Sequence, residues 1–272
     1  MIEDSLSYKA YLKSHYRSIK HSTYFNSYDY FLKNYIGQQI TFVEIGILDG
    51  GSLFMWREFF GQNARIIGID LNPDAKKWEK YGFEIFIGDQ NKQDFWDHFK
   101  ASVGKVDILL DDGGHTYEQQ INTVENMIGH INDNGVLLVE DTHTSYMDGF
   151  GPKNYSFLKY VFRKIDDINY RSHLIQKSRA EYRFWSIELT ESIVAFKVRH
   201  YATKQLSFET TNNGEAAEAR DFRFHDAKFL SYIDILQKRL EFIKYIPFAW
   251  KLGSQLKNKI KNLKFNAKQY FK

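Results

Sequence analysis

The amino-acid sequence predicts an α/β domain: a doubly wound, mostly parallel sheet closed by an antiparallel strand pair, with helical extensions at both ends. Three observations carry that reading. From Gln39 onward, short β-rich apolar runs alternate with helical stretches, the pattern of buried parallel strands joined by crossover helices. Acidic residues stand at the C-terminal ends of successive runs: Glu44, Asp70, Asp89, Asp111-Asp112 and Glu140-Asp141. A length of 272 residues, 43% hydrophobic and 26% charged, suits one such domain with extensions better than two complete ones.

The elements follow in order. Residues 4–36 read as helical and rich in Tyr and Phe, with a break expected at Phe25-Asn26-Ser27. ITFVEIG (40–46) is the first strand, and SLFMWREFF continues as a helix. RIIGID (65–70), FEIFIGD (83–89), VDILLDD (106–112) and GVLLVED (135–141) are strands two to five. A helix over about 116–130 joins the last two. Another covers about 155–167, and residues 183–198 form two strands turning at Thr190-Glu191-Ser192. The sequence thus divides into a helical segment (1–36), the α/β domain (37–200), and a polar linker with a helical tail (201–272).

Composition narrows the classes of function. The chain has no cysteine, which excludes disulfides, thiolate metal sites and cysteine nucleophiles. The N-terminal stretch has no apolar h-region, and no run of about 18 apolar residues exists to span a membrane; a cytoplasmic protein is expected. The net charge of +3 hides an asymmetry, because residues 237–272 hold ten Lys/Arg and one acid, Glu241. The basic excess belongs to the tail and not to the domain, so no nucleic-acid partner is expected. Within the tail, Leu252, Leu256, Ile260 and Leu263 share a helical face beside a cluster of lysines. Such a face suits peripheral contact with an anionic membrane, and it equally suits packing on the core or on a second subunit of a homo-oligomer.

FVEIGILDGGSL sets Glu44 and Gly46 at the end of the first strand and Gly50, Gly51 and Ser52 at the start of the next helix. Glycines there let backbone approach a ligand, but the spacing is not the G-x-G-x-x-G that holds a pyrophosphate. Asp70 ends strand two, where an acid accepts hydrogen bonds from ribose hydroxyls. Gly88-Asp89-Gln90 ends strand three, placed to read an adenine edge. A ribose and an adenine without a pyrophosphate point to S-adenosylmethionine. The missing phosphate pattern argues against a nicotinamide oxidoreductase, and the intact acids argue against a non-catalytic membrane adaptor.

Strands four and five end in Asp111-Asp112-Gly113-Gly114-His115 and Glu140-Asp141-Thr142-His143. As sheet neighbours they bring Asp112, Glu140 and Asp141 together, and three carboxylates without a cation repel one another. Oxygen ligation favours Mg²⁺, Mn²⁺ or Ca²⁺. His115, at a helix start that favours the neutral ring, is the candidate general base, with His143 in reserve. The long segment 142–156 and the N-terminal Lys20, His21 and Tyr24, together with Tyr146, are candidates for the acceptor.

These motifs, FVEIG-x3-GGS, GID, GD, DDGGH and GVLLVEDTH, resemble the metal-dependent macrolide sugar O-methyltransferases of the mycinamicin 2''-O-methyltransferase type. The neighbouring cephalosporin hydroxylase and rhamnosyl O-methyltransferase group is similar. The likeness covers roughly residues 15–198, and D-x-x-H followed by E-D is its most specific part. It implies a Rossmann-like, seven-stranded sheet. The cofactor-binding set is then Glu44, Gly46, Gly50, Ser52, Asp70, Asp89, Gln90 and Asp111. The resemblance further implies Mg²⁺ (or Mn²⁺) on Asp112, Glu140 and Asp141, with His115 as base. The expected acceptor is a hydroxyl of a sugar-containing small molecule, a nucleotide sugar or a glycolipid, destined for a surface glycan or natural product. The compared enzymes carry an extra N-terminal domain where this chain has a short aromatic segment, so specificity and oligomer contacts do not transfer.

Overall fold

The computed structural model describes residues 2–175 and 177–215, and beyond them the isolated positions Ile235, Arg239, Gln255, Lys259, Ala267 and Tyr270. The chain divides into two compact units, Met1–Glu209 and Thr210–Lys272. The first holds the sheet. Apart from those isolated positions, the helical tail expected within residues 201–272 lies, beyond residue 215, outside the described residues. Among the described residues, no helix is long and apolar enough to cross a membrane.

Seven strands form one sheet in the order β3-β2-β1-β4-β5-β7-β6. The parallel strands are β1 (Thr41–Ile45), β2 (Arg65–Asp70), β3 (Glu84–Ile87), β4 (Val106–Asp111) and β5 (Ile131–Val139). β6 (Ser186–Thr190) and β7 (Ile193–Lys197) form the antiparallel pair, with β7 against β5. The order reverses between β1 and β4, so a crevice opens at the C-terminal ends of those two strands.

Helices cover both faces. On one lie α1 (Leu6–Leu12), α2 (Tyr24–Leu32) and α3 (Gly51–Phe60); on the other lie α4 (Gln93–Val103), α5 (Tyr117–Met127) and α6 (Phe157–Asn169). Strand side chains alternate between the two cores. Phe42, Ile108, Leu110, Val136 and Leu138 join the α1–α3 side, and Val43, Ile45, Leu109, Leu137 and Val139 the α4–α6 side. Period-two alternation dictates this, and it decides where the strand-end acids point.

The sequence-based boundaries need three corrections. The break in the N-terminal helical segment falls at residues 13–23, and Phe25-Asn26-Ser27 lies inside α2. Phe25, Tyr28, Phe31 and Leu32 are buried at helical spacing, and the Ser27 hydroxyl is satisfied by Thr190 at 2.8 Å. Strand β5 begins at Ile131, four residues early, because Ile131 pairs with Val106 before a register shift. Part of the expected linker is helical, since α7 spans His200–Lys204. The two N-terminal helices are tied together: the Asp29 carboxylate of α2 accepts from the backbone N–H groups of Leu6 and Ser7 at 2.7 and 2.9 Å, serving the free donors at the start of α1.

Far from the crevice, Arg183 joins Glu125 of α5 to Glu181, with contacts of 2.6 Å to each. Tyr160 of α6 donates to Glu125 at 2.6 Å. Burial pushes the Glu125 carboxyl up, but Arg183, Tyr160 and Lys164 outweigh it and bring its pKa to about 2. Because the folded value lies below an unfolded one of about 4.3, this stabilisation is complete above that pH and is lost as pH falls toward 2. Thermal melts from about pH 5 to pH 2 should therefore fall less steeply for Glu125→Gln than for the wild type; equal slopes would remove Glu125 from the acid response.

Candidate active site

The crevice holds a cleft of ≈ 470 Å³ lined by Gly46, Asp70, Gly88, Asp89, Gln90, Asp112, Gly113, His115 and Asp141, among others. That is a size typical of small-molecule sites. Its floor is backbone: Gly46 has φ +83°, and a Cβ there would meet the Asp112 carbonyl oxygen at 2.1 Å. The ends of β1 and β4 can approach this closely only because the residue is glycine.

Asp70 sits at the cleft edge and organises the loop after β1, accepting from Ile47 and Leu48 N–H at 3.1 Å each and from Asn72 N–H at 2.8 Å. Asp89 accepts from Asn91 N–H at 2.8 Å. Beneath them, Gln90 donates to both oxygens of Asp111 at 3.2 Å and to Thr123 at 3.0 Å. Asp111 is fully buried, and burial pushes its pKa up against those hydrogen bonds. It supports the cleft from below and does not line it.

Glu44 and Gly50 do not line this cleft either. Alternation turns Glu44 toward α3, where it accepts from Ser52 at 2.6 Å and Trp56 at 3.0 Å. Ser52 and Gly46 border a small adjoining pocket of ≈ 40 Å³ with Arg17, Ile19 and Asp112. Gly50 packs against the Trp78 ring.

Alternation likewise sends Asp112 and Glu140 to the α1–α3 face, where both meet Lys20. Its ammonium lies 2.6 Å from Asp112, 3.2 Å from Glu140 and 3.6 Å from Glu44. Burial opposes that charge, yet Asp112 and Glu140, with Tyr28 and Glu44, hold the Lys20 pKa well above the ordinary lysine value. Burial raises Glu140 to about 8 against the pull of Lys20, and Tyr28 donates to its other oxygen at 2.5 Å.

Asp141 reaches toward both α2 and the cleft. Tyr24 donates to its Oδ1, and His115 Nε2 lies 3.2 Å from its Oδ2 and 3.9 Å from Asp112 Oδ1. His143 Nδ1 stands 3.8 Å from Asp141 and 3.0 Å from the Ser192 hydroxyl. Both His115 (φ 58°) and Asp141 (φ 54°) adopt the left-handed conformation, which costs a non-glycine residue about 1–2 kcal/mol. Such strain gathers at functional sites.

A second cavity of ≈ 140 Å³ adjoins this cluster, lined by Ile19, Lys20, His21, Tyr24, Asp112, Glu140 and Asp141. Three of the four acceptor candidates therefore surround it. Tyr146 does not, and is 74% exposed. The segment 142–156 is fastened and not free: Tyr117 binds the carbonyls of Thr144 and Met147 through its hydroxyl, and that of Phe150 through its N–H.

Sequence reasoning missed Tyr28, Gln119 in the cleft lining, Thr123 and the role of Lys20 as partner of the acids. Only the polar Tyr24 and Tyr28 at i, i+4 on an otherwise apolar helix face hinted at them.

The strand order and the crevice define the class, a Rossmann-like fold, and residues 43–142 match the family profile described as "Methyltransferase domain". More particularly, the chain is 32% identical over 131 residues to the Mycinamicin VI 2''-O-methyltransferase of Micromonospora griseorubida, covering 46% of this chain and 32% of that one. It is 27% identical over 135 residues to the 8-demethyl-8-alpha-L-rhamnosyl tetracenomycin-C 2'-O-methyltransferase of Streptomyces olivaceus, covering 47% and 35%. The match thus spans about a third of these relatives' length. In structure the chain is similar to the MycE Methyltransferase from the Mycinamycin Biosynthetic Pathway, solved with Mg and SAH: TM-score 0.63, 24% identity, 72% of this chain and 54% of that one. The likeness to sugar O-methyltransferases read from the motifs is borne out.

The site depends on close backbone approach at Gly46. Gly46→Ala should lower the melting temperature by several degrees and weaken S-adenosylhomocysteine binding at least tenfold by calorimetry; unchanged affinity would show that the floor of the cleft does not carry the ligand.

Proposed function

We propose that this chain transfers a methyl group from S-adenosylmethionine to a hydroxyl of a sugar-containing small molecule, assisted by a divalent cation. One observation carries the reading: Asp112, His115 and Asp141 line the same cleft as Asp70, Asp89 and Gln90, so a nucleoside-sized pocket and an acid–histidine cluster are continuous. The named sugar O-methyltransferases among the relatives support the acceptor class.

The residues fit both groups. Gly46 and Gly113 line the cleft with bare backbone packed too closely on Asp112 and Gln90 to admit a Cβ, and Asp70 and Asp89 stand at its rim with acceptor capacity remaining. Asp112 and Asp141 offer carboxylate oxygens within 4.8 Å of one another, and oxygen donors suit Mg²⁺ or Mn²⁺. When bound, the cofactor supplies an electrophilic sulfonium methyl and the cation a positive charge for a developing alkoxide.

The chain's own residues do the rest. Asp70 and Asp89 orient the nucleoside. Lys20, His21 and Tyr24 wall the acceptor cavity, and alignment of its hydroxyl is a large part of the rate. His115 takes the hydroxyl proton, and Asp141 and Asp112 stabilise the imidazolium that forms. Tyr24 holds Asp141 in place through its hydroxyl.

Methyl transfer to a panel of free and nucleotide-linked sugars, with Mg²⁺ or with EDTA, tests this. Product should form with Mg²⁺ and vanish with EDTA. His115→Ala should lower turnover about 10²–10⁴-fold with S-adenosylhomocysteine affinity unchanged. Full turnover in EDTA would contradict the cation, and turnover of His115→Ala within a few-fold of wild type would move the base to His143.

A further inference from the structure

Asp141 belongs to two clusters, one on each carboxylate oxygen. Its Oδ2 points to His115 at 3.2 Å, on the side of the cleft. Its Oδ1 lies 4.0 Å from His21 Nε2 and 3.8 Å from His143 Nδ1. These three residues each offer one donor atom, all within 4.8 Å of one another. The two imidazole rings stand nearly perpendicular, at 89°, with centroids 5.8 Å apart.

We propose that His21, Asp141 and His143 form a second cation site, suited to a borderline transition metal of the Zn²⁺ class. Two imidazole nitrogens with one carboxylate oxygen are a donor set such ions take readily, whereas Mg²⁺ favours oxygen alone. Three protein ligands leave a fourth position open to water or another oxygen. Tyr24 also donates to Oδ1, and that oxygen keeps a lone pair for an ion.

The backbone on both sides of the site is already fastened. Asp141 and His143 share one short turn, in which Thr144 N–H donates to the Asp141 carbonyl at 3.0 Å and Thr142 N–H to the Ser192 carbonyl at 3.1 Å. His21 arrives on the strap between α1 and α2. Ser14 of that strap donates to the Gly51 carbonyl at 2.8 Å, and the carbonyls of Tyr16 and Arg17 fill the space that a Cβ at Gly51 would need. Lys20, next to His21, is anchored on Asp112 at 2.6 Å.

Only the rings need to adjust. The His21 and His143 side chains are 67% and 42% exposed, which gives an ion a path in. Zinc stands about 2.0–2.1 Å from a histidine nitrogen, so the observed separations close with a modest inward rotation of the rings. The Ser192 hydroxyl, 3.0 Å from His143 Nδ1, is a neutral partner that an ion displaces or recruits as an oxygen donor.

His21 and Asp141 also wall the acceptor cavity. An ion held between them and His143 stands at its rim and obstructs the approach of the acceptor. Ions of the Zn²⁺ class therefore inhibit by excluding the acceptor, and the cofactor binds as before. This consequence rests on the proposed function; the site itself does not.

Zinc calorimetry on the full chain, with S-adenosylhomocysteine and excess Mg²⁺ present, tests the site. His21→Asn and His143→Asn should each weaken Zn²⁺ binding at least tenfold, and His115→Asn less than about threefold. Similar effects from all three substitutions, or an effect from His115→Asn alone, place the zinc elsewhere and overturn the site. Pulsed electron paramagnetic resonance of Cu²⁺ on the unmutated chain keeps the test open if a variant fails to fold. Modulation from two imidazoles is expected, and one or none overturns the site.

Steady-state methyl transfer at saturating Mg²⁺ tests the consequence. Zn²⁺ should raise the acceptor KM and leave kcat unchanged. Inhibition relieved by excess S-adenosylmethionine or Mg²⁺, and not by acceptor, would overturn it. Absence of methyl transfer before any zinc is added would count against the proposed function alone, with calorimetry still deciding the site.

Discussion

Four carboxylates, Glu44, Asp112, Glu140 and Asp141, meet at the C-terminal edge of the sheet, and two of them, Glu44 and Glu140, are fully buried. Mutual repulsion and desolvation both work against this arrangement. The answer built into this chain is a lysine carried in from outside the wound domain, with two tyrosines of α2 donating to Glu140 and Asp141. Much of the N-terminal arrangement follows from that need. Helix α2 lies where its tyrosines reach the acids, Asp29 ties α1 to it, and Gly51 is bare so that the connecting strap can cross the start of α3.

The period of the strands sorts the acids into separate tasks. Consecutive residues at a strand end point to opposite faces, so Asp111 turns to Gln90 and Thr123 under the cleft while Asp112 turns to Lys20. Glu140 and Asp141 separate for a further reason. Asp141 leaves the strand in a left-handed conformation, which swings its carboxylate out to His115 and the cleft. One dipeptide thereby serves a buried charge network and an accessible reaction face.

The sheet was legible because each strand is a short apolar run ending in an acid, and the site because the D-x-x-H and E-D motifs close neighbouring strands. The placement of Glu44 beneath the glycine turn was also legible in principle, since alternation from Phe42 and Val43 sets its face. What the sequence hid is long-range. Lys20 lies 92 and 120 positions from Asp112 and Glu140, and no local pattern marks a lysine as the partner of distant acids. The helix break was misjudged because Asn26 and Ser27 look like interruption, whereas Ser27 is satisfied by Thr190, 163 positions away. The early start of β5 was hidden by Asn132-Asp133-Asn134, turn-like residues carried through a register shift.

The central claim is that one cleft unites a nucleoside site with a cation site on Asp112 and Asp141. Crystals of the full chain grown with S-adenosylhomocysteine and Mn²⁺, with anomalous scattering recorded at the manganese edge, test it most directly. The account predicts adenosine between the ends of β1 and β3 and one anomalous peak about 2.2 Å from oxygens of Asp112 and Asp141. Adenosine density elsewhere, or manganese remote from those two carboxylates, would contradict it.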